Sequence, residues 1–121
     1  MEMGSQYFVA FNRTRAREIA KRVQLADTPH SRAKGLLGRA SLAQDEGMWI
    51  APCSMVHTFF MSFAIDVVFL DRENRVLRVC EGLKPWRVSP WVLRGHSVLE
   101  LAGSSLKGTL RKGDVLEFRK A

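Results

Sequence analysis

The fold turns on one stretch: Ile65-Asp66-Val67-Val68-Phe69-Leu70, the polar run Asp71-Arg72-Glu73-Asn74-Arg75, then Val76 to Cys80. Two segments rich in β-branched and aromatic residues flank five turn-forming polar ones, which predicts a β-hairpin. Asp66 stands out within it, because a carboxylate interrupting so apolar a run needs hydrogen bonds or a cation, or else a proton. One ordinary reading has it accept backbone N–H bonds from the Ser62 to Ala64 turn. Another pairs it with an arginine, with Arg87 the natural choice.

Outward from the hairpin the pattern repeats. Tyr7 to Phe11, closed by Asn12, suits a strand, as do Met48 to Ile50, Val56 to Met61, Val98 to Leu101 and Val115 to Phe118. Arg15 to Ala26 fits a helical face and a period of two almost equally. Thr28 followed by Pro29 starts a short helix, which Gly35 weakens and Gly38 ends. Pro85 and Pro90 hold Lys84 to Trp91 open as a loop. Many short strands separated by turn signals predict a mainly β chain folded as a sandwich or barrel.

The chain has 121 residues, 19 Lys and Arg, 12 Asp and Glu, and a net charge of +7. That length suits a single domain, residues 1–121. No apolar run approaches the roughly 20 residues that span a bilayer. The first six residues lack the pattern of an export signal, so the expected location is the cytoplasm. The positive charge divides into two flanks, 13–39 and 71–121, around a stretch, 40–70, without any Lys or Arg. A basic surface can attract nucleic acid or an acidic partner, but no dense basic run occurs, which makes nucleic acid the less favoured partner. Two cysteines, Cys53 and Cys80, are expected to be reduced thiols.

Chemistry-bearing residues gather in the Lys- and Arg-free stretch. Cys53, His57, Met61 and Asp66 lie within fourteen positions. A thiolate, an imidazole and a thioether together suit copper(I), so Cys53, His57 and Met61 form a weak metal set. Cys53 beside His57 also admits a thiol nucleophile with a histidine assistant, though no nucleophile elbow or oxyanion-hole motif accompanies the pair. The plain alternative is a core methionine, a small buried cysteine and a hydrogen-bonded histidine. In the loop, Trp86 and Arg87 have the composition of a binding surface, unless Trp86 simply plugs one end of a barrel. The leading expectation is a site for a small ligand or protein partner built from Cys53, His57, Met61, Asp66, Trp86 and Arg87. No cofactor and no definite enzyme class are expected.

A family resemblance rests on Ala26-Asp27-Thr28-Pro29, Arg32-Ala33-Lys34-Gly35-Leu36-Leu37-Gly38-Arg39 and Asp45-Glu46-Gly47-Met48. It continues through Thr58-Phe59-Phe60-Met61, Ile65 to Asp71, Val98-Leu99-Glu100-Leu101 and Gly113-Asp114. Over about residues 19–118 this resembles the domain of unknown function 192, a mostly prokaryotic family of uncharacterised proteins. Cys53-x3-His57-Thr58-Phe59-Phe60-Met61 and Pro85-Trp86-Arg87 are similar to a cytoplasmic branch of it. The resemblance implies a compact, jelly-roll-like sandwich or barrel of mostly antiparallel strands with one or two short helices. It also implies that Arg15 to Ala26 is a strand, and that no activity is established. The family's recurrent polar positions fall on Glu46, Asp66, Asp71 and Glu100. Leu101-Ala102-Gly103 is one residue shorter than the family's pattern, which speaks against a regular helix over 104–109.

Overall fold

The computed structural model describes residues 6–121; the first five residues, and with them most of the segment read for an export signal, lie outside the described residues. Seven strands form one continuous sheet: β1 Tyr7–Asn12, β2 Arg17–Ala26, β3 Glu46–Ile50, β4 Ile65–Leu70, β5 Val76–Leu83, β6 Ser97–Ala102 and β7 Leu116–Lys120. Their order is β5-β4-β6-β3-β2-β1-β7, and every neighbouring pair is antiparallel except β2 with β3. The chain is mainly β, with a single α-helix among the described residues, α1 Pro29–Lys34. No helix among the described residues is long and apolar enough to cross a membrane.

The sheet curls until its two outer strands meet at one end. Arg75 bridges Val115; Val76 N–H donates to the Asp114 carbonyl at 2.7 Å and Leu116 N–H to the Asn74 carbonyl at 2.9 Å. The choice between sandwich and barrel thus resolves towards a half-barrel. Asp114 fastens this corner, its carboxylate accepting from Asn12 Nδ2 at 3.0 Å, Arg15 Nε at 2.9 Å and the Arg111 amide at 3.0 Å. Burial raises the Asp114 pKa, but these donors outweigh it and hold the carboxyl below its ordinary value.

Curling gives the sheet two cores. Val68, Leu70, Leu99 and Leu101 join Ala10, Val23, Val76, Leu106 and Leu116 on one side. Ile65, Val67, Phe69 and Val98 pack on the other with Met48, Ile50, Leu36, Val56 and Met61. All six residues of β4 and of β6 are buried. Both strands therefore read as nearly continuous apolar runs instead of alternating ones.

The hairpin expected from 65 to 80 is β4–β5, and the ambiguous Arg17–Ala26 is β2. Three local expectations need correction. The helix stops at Gly35, a turn before Gly38, because Gly35 at φ 47° leaves the helical path while its N–H still caps Ser31. Val56 to Met61 is no regular strand: only His57 makes a ladder contact, with Val88, and Phe60 at φ 65° breaks the extended path. Asp66 takes its backbone donors from elsewhere than the Ser62 to Ala64 turn. Gly82 N–H reaches Oδ1 at 2.8 Å, Ser104 N–H Oδ1 at 3.3 Å, and Leu106 N–H Oδ2 at 3.0 Å. Gly82 sits opposite the register shift between Ile65 and Val67 with φ 67°, a left-handed conformation that turns its amide onto the carboxylate. No regular helix forms over 104–109.

Removing the Asp66 carboxylate takes the acceptor from three backbone donors, that of the buried Leu106 among them, and leaves a cavity at a fully buried position. Asp66→Ala is expected to destabilise the fold by about 4 kcal/mol, read as a lower urea midpoint at unchanged m-value.

Candidate functional site

Four acidic residues, Glu46, Asp66, Asp71 and Glu100, separate cleanly once their partners are known. Glu46 Oε1 accepts from the Ala43 amide at 3.1 Å and from Arg39 at 3.3 Å, holding the turn that leads into β3. Asp71 Oδ1 accepts from the Glu73 and Arg75 amides, each at 2.9 Å, and shapes the β4–β5 turn. Asp66 binds three amides, as above. Glu100 has no such partner among the described residues.

Its position explains why. In the sheet register Glu100 lies opposite Met48 on β3 and Val67 on β4, so its side chain projects from the same face as those apolar residues. Backbone amides at mid-sheet are consumed by the ladder and none turns towards it. It is only 5% exposed. Burial pushes its pKa from 4.5 up to about 7. What faces it is a cavity of about 320 Å³ between α1 and the segment 50–61. Leu36, Ile50, Val56 and Met61 line this cavity, together with Arg32, Cys53, His57 and Glu100.

The six residues expected to form one site divide into three groups. Cys53, His57 and Met61 all line the cavity. Asp66 is fully buried and its carboxylate is engaged by the three backbone amides, away from the cavity lining. Arg87 is not its partner: the guanidinium lies on the Pro85 and Trp86 carbonyls at 3.4 Å, outside the sheet. Trp86 does not plug the barrel either. It is exposed, and Trp49 takes the packing role, stacked on Phe118 with centroids 3.8 Å apart.

The protonation of the cavity groups limits their chemistry. Cys53 is a free thiol whose Sγ donates to the Met55 carbonyl at 3.2 Å. Burial pushes its pKa up, and the nearby Glu100 carboxyl acts in the same direction while Arg32 opposes it. A thiol held neutral is a poor nucleophile and a poor metal ligand. His57 Nδ1 accepts the Phe59 N–H at 3.3 Å, so the neutral ring carries its proton on Nε2 and presents a donor there instead of a lone pair. Among the described residues no three His, Cys, Asp or Glu side chains converge on a metal position. The arrangement is therefore one of hydrogen-bond donors around a single buried carboxyl, in an apolar hollow.

Four of the eight basic residues of the first flank have acidic or aromatic partners within the protein. Arg15 meets Asp114, Arg39 meets Glu46 and Arg13 meets Glu117, while Arg22 lies 4.2 Å over the Tyr7 ring.

With this geometry in hand, comparison with known proteins places the chain. It belongs to the DUF192 family, "Uncharacterized ACR", whose model matches residues 10–118. UPF0127 protein PH1112 of Pyrococcus horikoshii is 35% identical over 83 residues, covering 64% of this chain and 70% of the relative. Two solved structures share the fold. A "putative transcription regulator" from Sinorhizobium meliloti 1021 has a TM-score of 0.78 at 23% identity, covering 98% of this chain and 96% of its own. A protein of unknown function from Novosphingobium aromaticivorans has a TM-score of 0.78 at 22% identity, with 93% and 84% covered. At these identities the likeness is one of fold.

Glu100 should make stability depend on pH. Its folded pKa lies above its unfolded one, so the native state binds the extra proton between pH about 4.5 and about 7. Stability then falls as pH rises through that window, by about 3 kcal/mol in all. Glu100→Gln should remove this component of the slope when urea midpoints are compared at pH 5 and pH 8. For Cys53, a Cys80→Ser protein should react with iodoacetamide at pH 8 several-fold more slowly than a solvent-exposed cysteine peptide.

Proposed function

We propose that this protein binds a small amphoteric molecule in the cavity above Glu100, with the ligand's amino group on the Glu100 carboxylate and its apolar body against Leu36, Ile50, Val56 and Met61. The observation that carries this reading is Glu100 itself: a carboxyl buried at the cavity floor without a partner, between Met48 and Val67. An unpaired buried carboxyl costs stability, and a protein retains such a group where something else completes its hydrogen bonds. Arg32, which lines the cavity wall and brings a positive charge there, favours a ligand that also bears an acceptor or negative group. His57 Nε2–H supplies a further donor near the mouth. The volume of about 320 Å³ holds a molecule the size of an apolar amino acid.

The thiol-enzyme and copper(I) readings gain no support from a neutral Cys53 and a His57 whose Nε2 carries the proton. Binding, with Glu100 as anchor, is the better reading of the same residues.

The test uses three branched five- or six-carbon probes: isopentylamine, L-leucine and 4-methylpentanoate. Thermal unfolding at pH 8 should shift upward by several degrees with the two amino compounds at millimolar concentration and not with the carboxylate alone. Glu100→Gln should abolish the discrimination. Equal shifts with all three probes, or the same shifts in the Gln variant, would remove the proposal.

A further inference from the structure

The segment bordering the cavity has an outer face, and that face is apolar. Residues 55–59 and 86–89 run side by side, joined by the His57–Val88 bridge. Thr58 fastens them: its N–H donates to the Arg87 carbonyl at 2.8 Å, its hydroxyl donates to the Lys84 carbonyl at 2.6 Å, and that hydroxyl accepts the Arg87 N–H at 2.9 Å. Ser89 does the same for Val56, through 2.9 Å bonds in both directions. Val56, Thr58 and Ser89 are consequently buried, and Phe59 and Val88 are turned outward, while the exposed Met55 and His57 stand at the edge where this face meets the cavity.

Phe60, 75% exposed, directly follows the first segment, and Trp86, at 55%, begins the second. Further along the chain Trp91 at 63% and Leu93 at 68% flank the buried Val92, whose N–H donates to the Ser54 carbonyl at 3.0 Å. Phe60 and Trp86 both adopt positive φ, 65° and 63°, and their rings meet with centroids 4.7 Å apart. Seven large apolar side chains left in water on two adjoining segments exceed what scattered surface exposure explains.

Charge decides what covers them. Neither 47–65 nor 82–99 contains an Asp or Glu, whereas the second segment carries Lys84, Arg87 and Arg94. All three are exposed, and none has a carboxylate partner among the described residues. A second copy of the chain would bring the same positive charges against each other, so self-association is disfavoured. A base-stacking platform needs flat rings throughout, but Met55, Val88 and Leu93 are aliphatic and have no π-face. Aliphatic chains and tryptophans ringed by Lys and Arg are the composition that enters a bilayer interface, where hydrocarbon takes the apolar part, the headgroup region takes indole N–H, and anionic lipid takes the cations.

We propose that this face is a docking surface for an anionic membrane, with Phe60, Trp86, Trp91 and Leu93 entering the interface and Lys84, Arg87 and Arg94 meeting lipid phosphates. The protein is held peripherally, with the cavity of Glu100 beside the contact. None of the seven residues named here lines the cavity, so this proposal does not rest on what the cavity binds.

Vesicle co-sedimentation of the full chain at low salt tests it, using neutral phosphatidylcholine vesicles and vesicles with roughly a third phosphatidylglycerol. Partition onto the anionic vesicles should be at least about tenfold stronger, from the three cations together. Trp86→Ser/Trp91→Ser should reduce it at least tenfold while the protein stays folded, with a thermal midpoint lowered by no more than a few degrees, since both side chains are more than half exposed. Lys84→Gln/Arg87→Gln/Arg94→Gln should erase the difference between the two vesicles. Glu100→Gln should bind vesicles as the parent does, which separates this result from the fate of the cavity reading. Equal partition on both vesicles, full binding by the tryptophan variant, or binding to an acidic polypeptide or single-stranded RNA without vesicle binding would each overturn the proposal.

Discussion

The Asp66 carboxylate on β4 ties the end of β5 to the bends that follow β6, two places where regular strand pairing breaks off. Gly82 ends the β4–β5 hairpin, while Ser104 and Leu106 belong to the bends that follow β6; all three send an amide to one side chain inside the protein. Without it the amide of the buried Leu106 would have no acceptor. The register shift between Ile65 and Val67, the left-handed Gly82 and the irregular course of 103–109 are arranged around this acceptor. With Leu106 so placed, the inner core of the half-barrel is closed at that end.

One strand away, Glu100 shows the opposite solution. Asp66 and Glu100 lie on paired strands, Asp66 opposite Leu101 and Glu100 opposite Val67, so they face opposite sides of one sheet. Loops approach Asp66 and supply donors. Glu100 faces apolar neighbours and a hollow. Two carboxyls with similar sequence surroundings therefore differ in role: one is a structural acceptor, the other a polar group with no protein partner. The difference comes from which loops fold over each face of the sheet.

The segment 53–61 connects the cavity to the outer surface. Its inward residues, Val56 and Met61, belong to the core beside the cavity, and its outward ones form the aromatic and aliphatic face with Trp86 and Val88. Thr58 and Ser89 make this possible, because their hydroxyls replace ladder bonds that an irregular ribbon cannot form by backbone alone.

Much of the fold was legible in the residues. The 65–80 hairpin, the strands near 7–12, 46–50, 97–102 and 116–120, and the start of the helix at Thr28-Pro29 all carry local signals that tertiary contacts reinforce. Arg17–Ala26 is a strand that its own periodicity left open; pairing with β1 and β3 decided it. In the candidate site, Cys53, His57 and Met61 were visible as a cluster because they are close in sequence. Glu100 is 39 residues beyond Met61, and its only local mark is a single acid in the apolar Ser97-Val98-Leu99-Glu100-Leu101-Ala102, the same mark that Asp66 bears. Sequence by itself determined a mainly β domain, two carboxyls within apolar strands and an aromatic loop with basic residues. Only the tertiary structure decided which carboxyl is satisfied, because hydrogen-bond donors come from loops distant in the chain, and periodicity along a strand carries no information about them.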